Sequence, residues 1–217
     1  MVFGTHEIYQ GAICIKGEVV FFDSWELWIF IHCSLTKECR CMLIQEYNES
    51  WKISFNAISK VLQHTVQLPN LIIEHIGSTA VPGLAAKPII DIDLVYHLPD
   101  HFDMIKNRLG KIGYYHNGDQ GIPDREVFKR QSNDTLHPIL DQISHHLYVC
   151  AVDSKELRNH IAFRDFLMEN STARQQYQEL KYQIAAAAKQ DRKQYAALKE
   201  TVAKPFIKAI LEKAGEV

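Results

Sequence analysis

The order of predicted elements points to an α/β (α+β) domain with a helical C-terminal part. Three observations carry this. A helical apolar pattern opens the main body, short apolar runs bounded by turn residues fill its middle, and nearly everything beyond Ser154 is helical in pattern.

In the opening stretch, MLIQEYNESWKISFNAISKVL from Met42, residues Trp51, Phe55, Ile58 and Leu62 recur at helical spacing. LIIEHI (71–76) then reads as a short strand stopped by Gly77. PIIDIDLVY (88–96) reads as a second strand, with Pro88 first, where no ladder donor is lost. HLPDHFDMIKNRLGKIG predicts a helix with Asp100 as N-cap and Gly113 as stop. REVFKRQ and HHLYVCAV predict two more strands across the turn-rich QSNDTLHPILDQIS. Three helices follow, with Ser154, Ser171 and Asp191 as candidate caps, and Pro205 predicts a kink in the last.

At 217 residues the chain suits one domain, or one plus a short extra piece. Net charge is −2, so no global basic field recruits nucleic acid, and no alternation of basic and aromatic residues suggests it locally. The tail from Ser171 carries nine Lys/Arg against five Asp/Glu, a local excess of four. The run EVVFFDSWELWIFIHC holds Glu18, Asp23 and Glu26, too interrupted for a membrane span and lacking the marks of a signal peptide. Five cysteines without such a signal read as a reducing cytoplasm, and Cys39 and Cys41 lack a second pair at zinc spacing. Cys150, in an apolar strand, reads as core. Residues 1–41, rich in Cys, Trp and Phe, differ from the rest. They read either as a strand-rich appendage or, the favoured reading, as upstream sequence included by a mistaken start codon; 42–217 is the domain proper.

The chemistry concentrates in HIGSTAVPGLAAKPIIDIDLVY (75–96). Side chains alternate along a strand, so Ile89, Asp91, Asp93 and Val95 share one face, and Ile90, Ile92 and Leu94 the other. The aspartate Cα atoms stand about 6.5 Å apart, two strand steps. Like charges that close on a half-buried face need compensation, and a divalent cation with hard oxygen ligands, Mg²⁺ or Mn²⁺, supplies it. Upstream, Gly77, Ser78 and Thr79 form a turn whose N–H groups and hydroxyls suit a phosphate. A phosphate turn beside paired carboxylates is the arrangement of metal-assisted phosphoryl or nucleotidyl transfer. No Walker A pattern and no Ser/His/Asp triad is legible.

With twelve residues between Ser78 and Asp91, GS…DID resembles the signature of the nucleotidyltransferase superfamily. More narrowly, IEHIGSTAVPGLAAKPIIDIDL resembles the hallmark of the GrpB family. The resemblance continues through GIPDREVF (121–128), HHLYV (145–149), LRNHIAFRDFL (157–167), YQELK (177–181), DRKQYAALK (191–199) and the PFIKAILEKA ending. It covers about residues 42 to 213. Family members usually begin near a stretch such as Tyr47 to Trp51, which sets residues 1–41 apart. The resemblance implies a nucleotidyltransferase-like mixed sheet core with a helical C-terminal region. Some relatives carry such a domain fused to dephospho-CoA kinase.

The expected site follows. Asp91 and Asp93 are the catalytic pair and, with His146, the metal ligands. Gly77, Ser78, Thr79, Lys87 and Arg125 hold the nucleotide, expected to be a nucleoside triphosphate whose nucleotidyl group passes to an unknown acceptor. One departure counts against full transfer chemistry: active superfamily members use a third carboxylate on a neighbouring strand, and SHHLYVCAV has none. The competing expectation is a non-catalytic binding or accessory module. Arg164, beside Asp165, reads first as a helix ion pair. His160 shares its helical face, and Lys181, Arg192 and Lys199 read first as a solvated tail surface.

Overall fold

A computed structural model of the chain describes residues 11–15, 18–22, 42–131 and 137–215. The chain divides into two units, Met1–Met42 and Leu43–Val217. In the first, β1 (Gly11–Ile15) and β2 (Glu18–Phe22) pair antiparallel. Most of residues 1–41, and with them the choice between an appendage and a mistaken start, lie outside the described residues.

The second unit is built on a five-stranded mixed sheet. Its elements are α1 (Ser50–Val66), β3 (Ile72–Ile76), a 3₁₀ turn (Ser78–Ala80), β4 (Ile90–Tyr96), α2 (His101–Gly110), β5 (Tyr114–His116), β6 (Glu126–Arg130) and β7 (His145–Ala151). Four helices close it: α3 (Lys155–Glu169), α4 (Ser171–Ala187), α5 (Arg192–Val202) and α6 (Lys204–Ala214). The spatial order is β3-β4-β7-β6-β5, with β4 and β7 parallel and the other pairs antiparallel. The mixed α/β core with a helical end is therefore the expected one.

The two faces of β4 explain the layering. Ile90, Ile92 and Leu94 join Leu147 and Val149 of β7 in a core closed by Ile58, Leu62 and Val66 of α1 and by Ile105 and Leu109 of α2. The opposite face carries the aspartates. A second apolar cluster joins Val81, Leu84 and Ala85, in the loop before β4, to Tyr177, Ile184, Tyr195 and Ile210 of the tail helices. Gln178 Oε1 accepts the Ala85 N–H at 2.8 Å, and the Lys181 ammonium donates to the Ala85 carbonyl. The tail thus grips the loop between the glycine turn and β4 by both backbone polar groups of one residue.

The first helix, Ser50–Val66, contains the expected Trp51, Phe55, Ile58 and Leu62. Several local expectations are corrected. Asp100 makes no side-chain cap. Asn170, not Ser171, caps α4, accepting the Ala173 N–H at 2.8 Å, while Ser154 and Asp191 cap as expected. Pro205 does not kink a continuous helix. The chain breaks at Ala203 and Pro205 falls in the first turn of α6, where its missing N–H costs nothing. Strand β5 was not expected: three residues are too short for alternation to show.

Candidate functional site

The turn after β3 is set by one backbone angle and one close contact. Gly77 has φ +71°, and a Cβ there would stand 2.4 Å from Asp91 Oδ2. Only glycine lets the Gly77–Ser78 backbone lie this near the Asp91 carboxylate. Thr79 is buried, and its hydroxyl donates to the Ile89 carbonyl at 3.2 Å and accepts from His75 Nε2 at 3.1 Å. His75 stacks on Phe55 with centroids 4.5 Å apart, and burial holds its pKa down to about 4, so it is a neutral brace for the turn.

Both aspartates point to the face expected, and each meets a histidine. Asp91 Oδ1 lies 2.7 Å from His146 Nδ1, in the register that pairs Asp91 with His146 across β4 and β7. Asp93 is wholly buried, and its Oδ2 lies 2.7 Å from His160 Nδ1 on α3. His160 Nε2 reaches Glu156 Oε1 at 3.2 Å, one helical turn earlier. Burial opposes a charged imidazole, yet the Asp93 and Glu156 carboxylates push His160 up to about 9. Burial pushes Asp93 upward as well, with the His160 hydrogen bond pulling the other way. For His160 the two carboxylates outweigh burial, whereas for Asp93 burial outweighs the His160 hydrogen bond.

A cavity of about 490 Å³ opens against this face. The loop side supplies Gly77, Ser78, Thr79 and Lys87; the sheet supplies Asp91, His146 and Tyr148; and Arg125 enters from the loop before β6. The helical end supplies Glu156, Asn159, His160, Tyr177, Lys181, Tyr195 and Lys199. The expected residues thus converge on one cavity, except Asp93, which is buried behind its wall.

Three buried side-chain atoms among the described residues find no hydrogen-bond partner: Asp93 Oδ1, Arg125 Nε and Asn159 Oδ1. Arg125 and Asn159 line the cavity, and Asp93 is the partner of the cavity residue His160. The Asn159 amide is oriented by Nδ2 donating to Glu156 Oε2 at 3.4 Å, which leaves its oxygen as the unpaired atom. Buried polar atoms are ordinarily paired, so three orphans in and beside one cavity are exceptions to that rule.

Glu156, Asn159, Tyr148, Tyr177 and Tyr195 were not singled out from sequence. Glu156 carried a usable signal, since Glu156, His160 and Arg164 follow at intervals of four. Arg164 is more than a helix ion pair. It meets Asp165 at 2.7 Å and also Glu74 at 2.6 Å and the His75 carbonyl at 3.0 Å, tying α3 to β3. Glu74 stands directly opposite Asp93 across β3 and β4. A carboxylate on a neighbouring strand therefore exists, on β3 and not on β7, and Arg164 neutralises it. No group of three or more His, Cys, Asp or Glu among the described residues is placed to hold a metal ion. No helix among them is long and apolar enough to cross a membrane.

The sequence model of a family described as GrpB protein matches residues 42–213. The glutamate-rich protein GrpB of Alkalihalophilus pseudofirmus is 31% identical over 173 residues, covering 78% of this chain and 94% of that protein. UPF0157 protein YqkA of Bacillus subtilis is 29% identical over 140 residues; the match covers 64% of this chain but only 38% of YqkA. Among solved structures, the conserved protein GrpB from Enterococcus faecalis superposes with a TM-score of 0.63 at 31% identity, covering 78% of this chain and 98% of that one.

Proposed function

This chain belongs to the GrpB family, and from that premise we propose that its cavity binds a nucleoside triphosphate with Mg²⁺ or Mn²⁺ and transfers a nucleotidyl group to an acceptor. The observation that carries the reading is the gathering of unpaired buried atoms around a cavity entered by the Gly77–Ser78 turn. Gly77 and Ser78 offer backbone N–H groups to phosphate oxygens, and Lys87 and Arg125 offer the positive charge.

Asp91 faces the cavity and Asp93 keeps one carboxylate oxygen unpaired, both hard donors, although Asp91, Asp93 and His146 as placed do not form a three-ligand group. On the proposed reading these three would hold the ion only after moving closer together, and it would then neutralise phosphate charge and stabilise the leaving group. His75, through Thr79, keeps the glycine turn against Asp91, and His160 fixes the rotamer of Asp93. A cytoplasmic location belongs to the same reading, supported by Cys150, a buried free thiol.

A second reading has its own observation. Each aspartate already has an imidazole at 2.7 Å, and the nearest strand carboxylate, Glu74, is held by Arg164. This favours an accessory module that binds nucleotide without transfer.

One experiment separates the two. The full chain is titrated with ATP, GTP, CTP and UTP in Mg²⁺ or Mn²⁺, following heat stability and pyrophosphate release, with Asp91→Asn and Asp93→Asn as controls. Metal-dependent binding with pyrophosphate release that Asp91→Asn abolishes supports transfer. Binding without release supports the accessory module. Binding and release unchanged in both variants end the metal-site idea.

A further inference from the structure

Three tyrosines line the cavity, and each carries a cation over its ring. Lys87 Nζ stands 4.3 Å from the centroid of Tyr195, Arg125 Cζ 4.7 Å from that of Tyr148, and Lys181 Nζ 4.9 Å from that of Tyr177. Such contacts occur about once per 70–80 residues in proteins, so three around one space are a concentration. Among the described residues, no carboxylate lies within ion-pair distance of Lys87, Arg125, Lys181 or Lys199.

A ring face and a carboxylate stabilise a cation differently. A carboxylate cancels its charge; a ring quadrupole holds it in a desolvated position and leaves the charge in place. The cavity's own acids are otherwise engaged, Asp91 by His146 and Glu156 by His160, with Glu200 at the exposed rim. Burial, then the neighbouring Lys199 and Arg192, disfavour the charged form of Lys87 while Asp91 favours it, and burial and Lys199 disfavour the charged form of Lys181, a repulsion that an anion would relieve.

The same contacts restrict base recognition. Tyr177 has Phe206 stacked at 5.5 Å with ring planes 7° apart, and Lys181 over its ring. The ring is therefore already contacted by a stacked aromatic and an ammonium before any base arrives. Tyr195 and Tyr148 each have one face covered by a cation.

We propose that the cavity selects its ligand by the number of phosphates, reading a triphosphate or inorganic polyphosphate through tyrosine-caged cations, and is indifferent to the base. This names the ligand feature sensed in the cavity of the preceding section; it rests on that cavity and not on transfer.

Calorimetric titration of the full chain in EDTA, with orthophosphate, pyrophosphate and tripolyphosphate, tests it without metal or nucleoside. Affinity should rise about tenfold or more with each added phosphate, as charge-assisted hydrogen bonds accumulate. The four nucleoside triphosphates should agree within about threefold, since each tenfold needs a contact worth about 1.4 kcal/mol. Lys87→Gln should weaken tripolyphosphate binding about tenfold while Lys87→Arg retains it. Tyr195→Phe should retain binding, because the ring is kept, and Tyr195→Leu should weaken it as Lys87→Gln does. Equal affinity for orthophosphate and tripolyphosphate, a strong preference for one base, or unchanged binding in Lys87→Gln would overturn the proposal. Tripolyphosphate binding without any nucleotidyl transfer supports it and removes only the transfer reading.

Discussion

His160 on α3 and Asp93 on β4 meet at 2.7 Å, and the Asp93 side chain has no exposed surface. Among the described residues the imidazole is the one group that hydrogen-bonds this carboxylate, and Glu156 steadies its other nitrogen. Burying a carboxylate without such a partner costs several kcal/mol. The contact is therefore a structural requirement of the aspartate pair as well as an element of the cavity wall.

The two braced histidines set opposite pH limits on stability. His160 is raised to about 9 when folded against an ordinary 6.5, so its contribution is complete below 6.5 and is lost as pH rises through about 9. His75 is lowered to about 4, so its contribution is complete above 6.5 and is lost as pH falls towards 4. Urea unfolding across pH 4 to 10 should show a maximum near neutrality. His160→Asn should flatten the alkaline limb and His75→Gln the acid limb, each by about 2–3 kcal/mol. An alkaline limb unchanged in His160→Asn would show that the ion pair is not formed in solution.

Gly77→Ala should damage binding more than folding. The variant must hold a left-handed φ, a cost of about 1–2 kcal/mol, and must push the Asp91 carboxylate away from the turn. Chemical denaturation would measure the first effect and nucleotide titration the second. Binding equal to wild type would mean that the closeness of turn and carboxylate has no part in the site.

Gln178→Ala removes the partner of the Ala85 N–H and should cost about 1–2 kcal/mol. Amide hydrogen exchange should then quicken at Ala85 ahead of the sheet.

Residues 42–217 should fold alone, with a thermal midpoint within a few degrees of the full chain. The second unit carries the described core, and the solved GrpB from Enterococcus faecalis aligns over 98% of its own length. Circular dichroism melts of the two chains decide this.

Much of the frame was legible because period-2 alternation is local. The IDID pattern placed Asp91 and Asp93 on one face, and the register confirms that His146 and Tyr148 share it. The Gly77–Ser78 turn was legible because a glycine ending an apolar run has few other uses. The partners of those residues were not. Whether His160 meets Asp93 depends on the path of α3 across the sheet, which no spacing within either segment encodes. That Glu74 is the neighbouring carboxylate follows from strand order, with β3 and β7 flanking β4, and strand order is not encoded in any local pattern. The tyrosine rings that hold Lys87, Arg125 and Lys181 are distant in sequence from two of those cations, so their pairing emerges only on folding.

The grip on Ala85 has a mechanical result. With its N–H held by Gln178 and its carbonyl by Lys181, the stretch leading to Lys87 is riveted to the helix that carries Tyr177. Parting those two walls would give up both bonds, so a guest molecule that fits between them as they stand is favoured over one that must wedge them open.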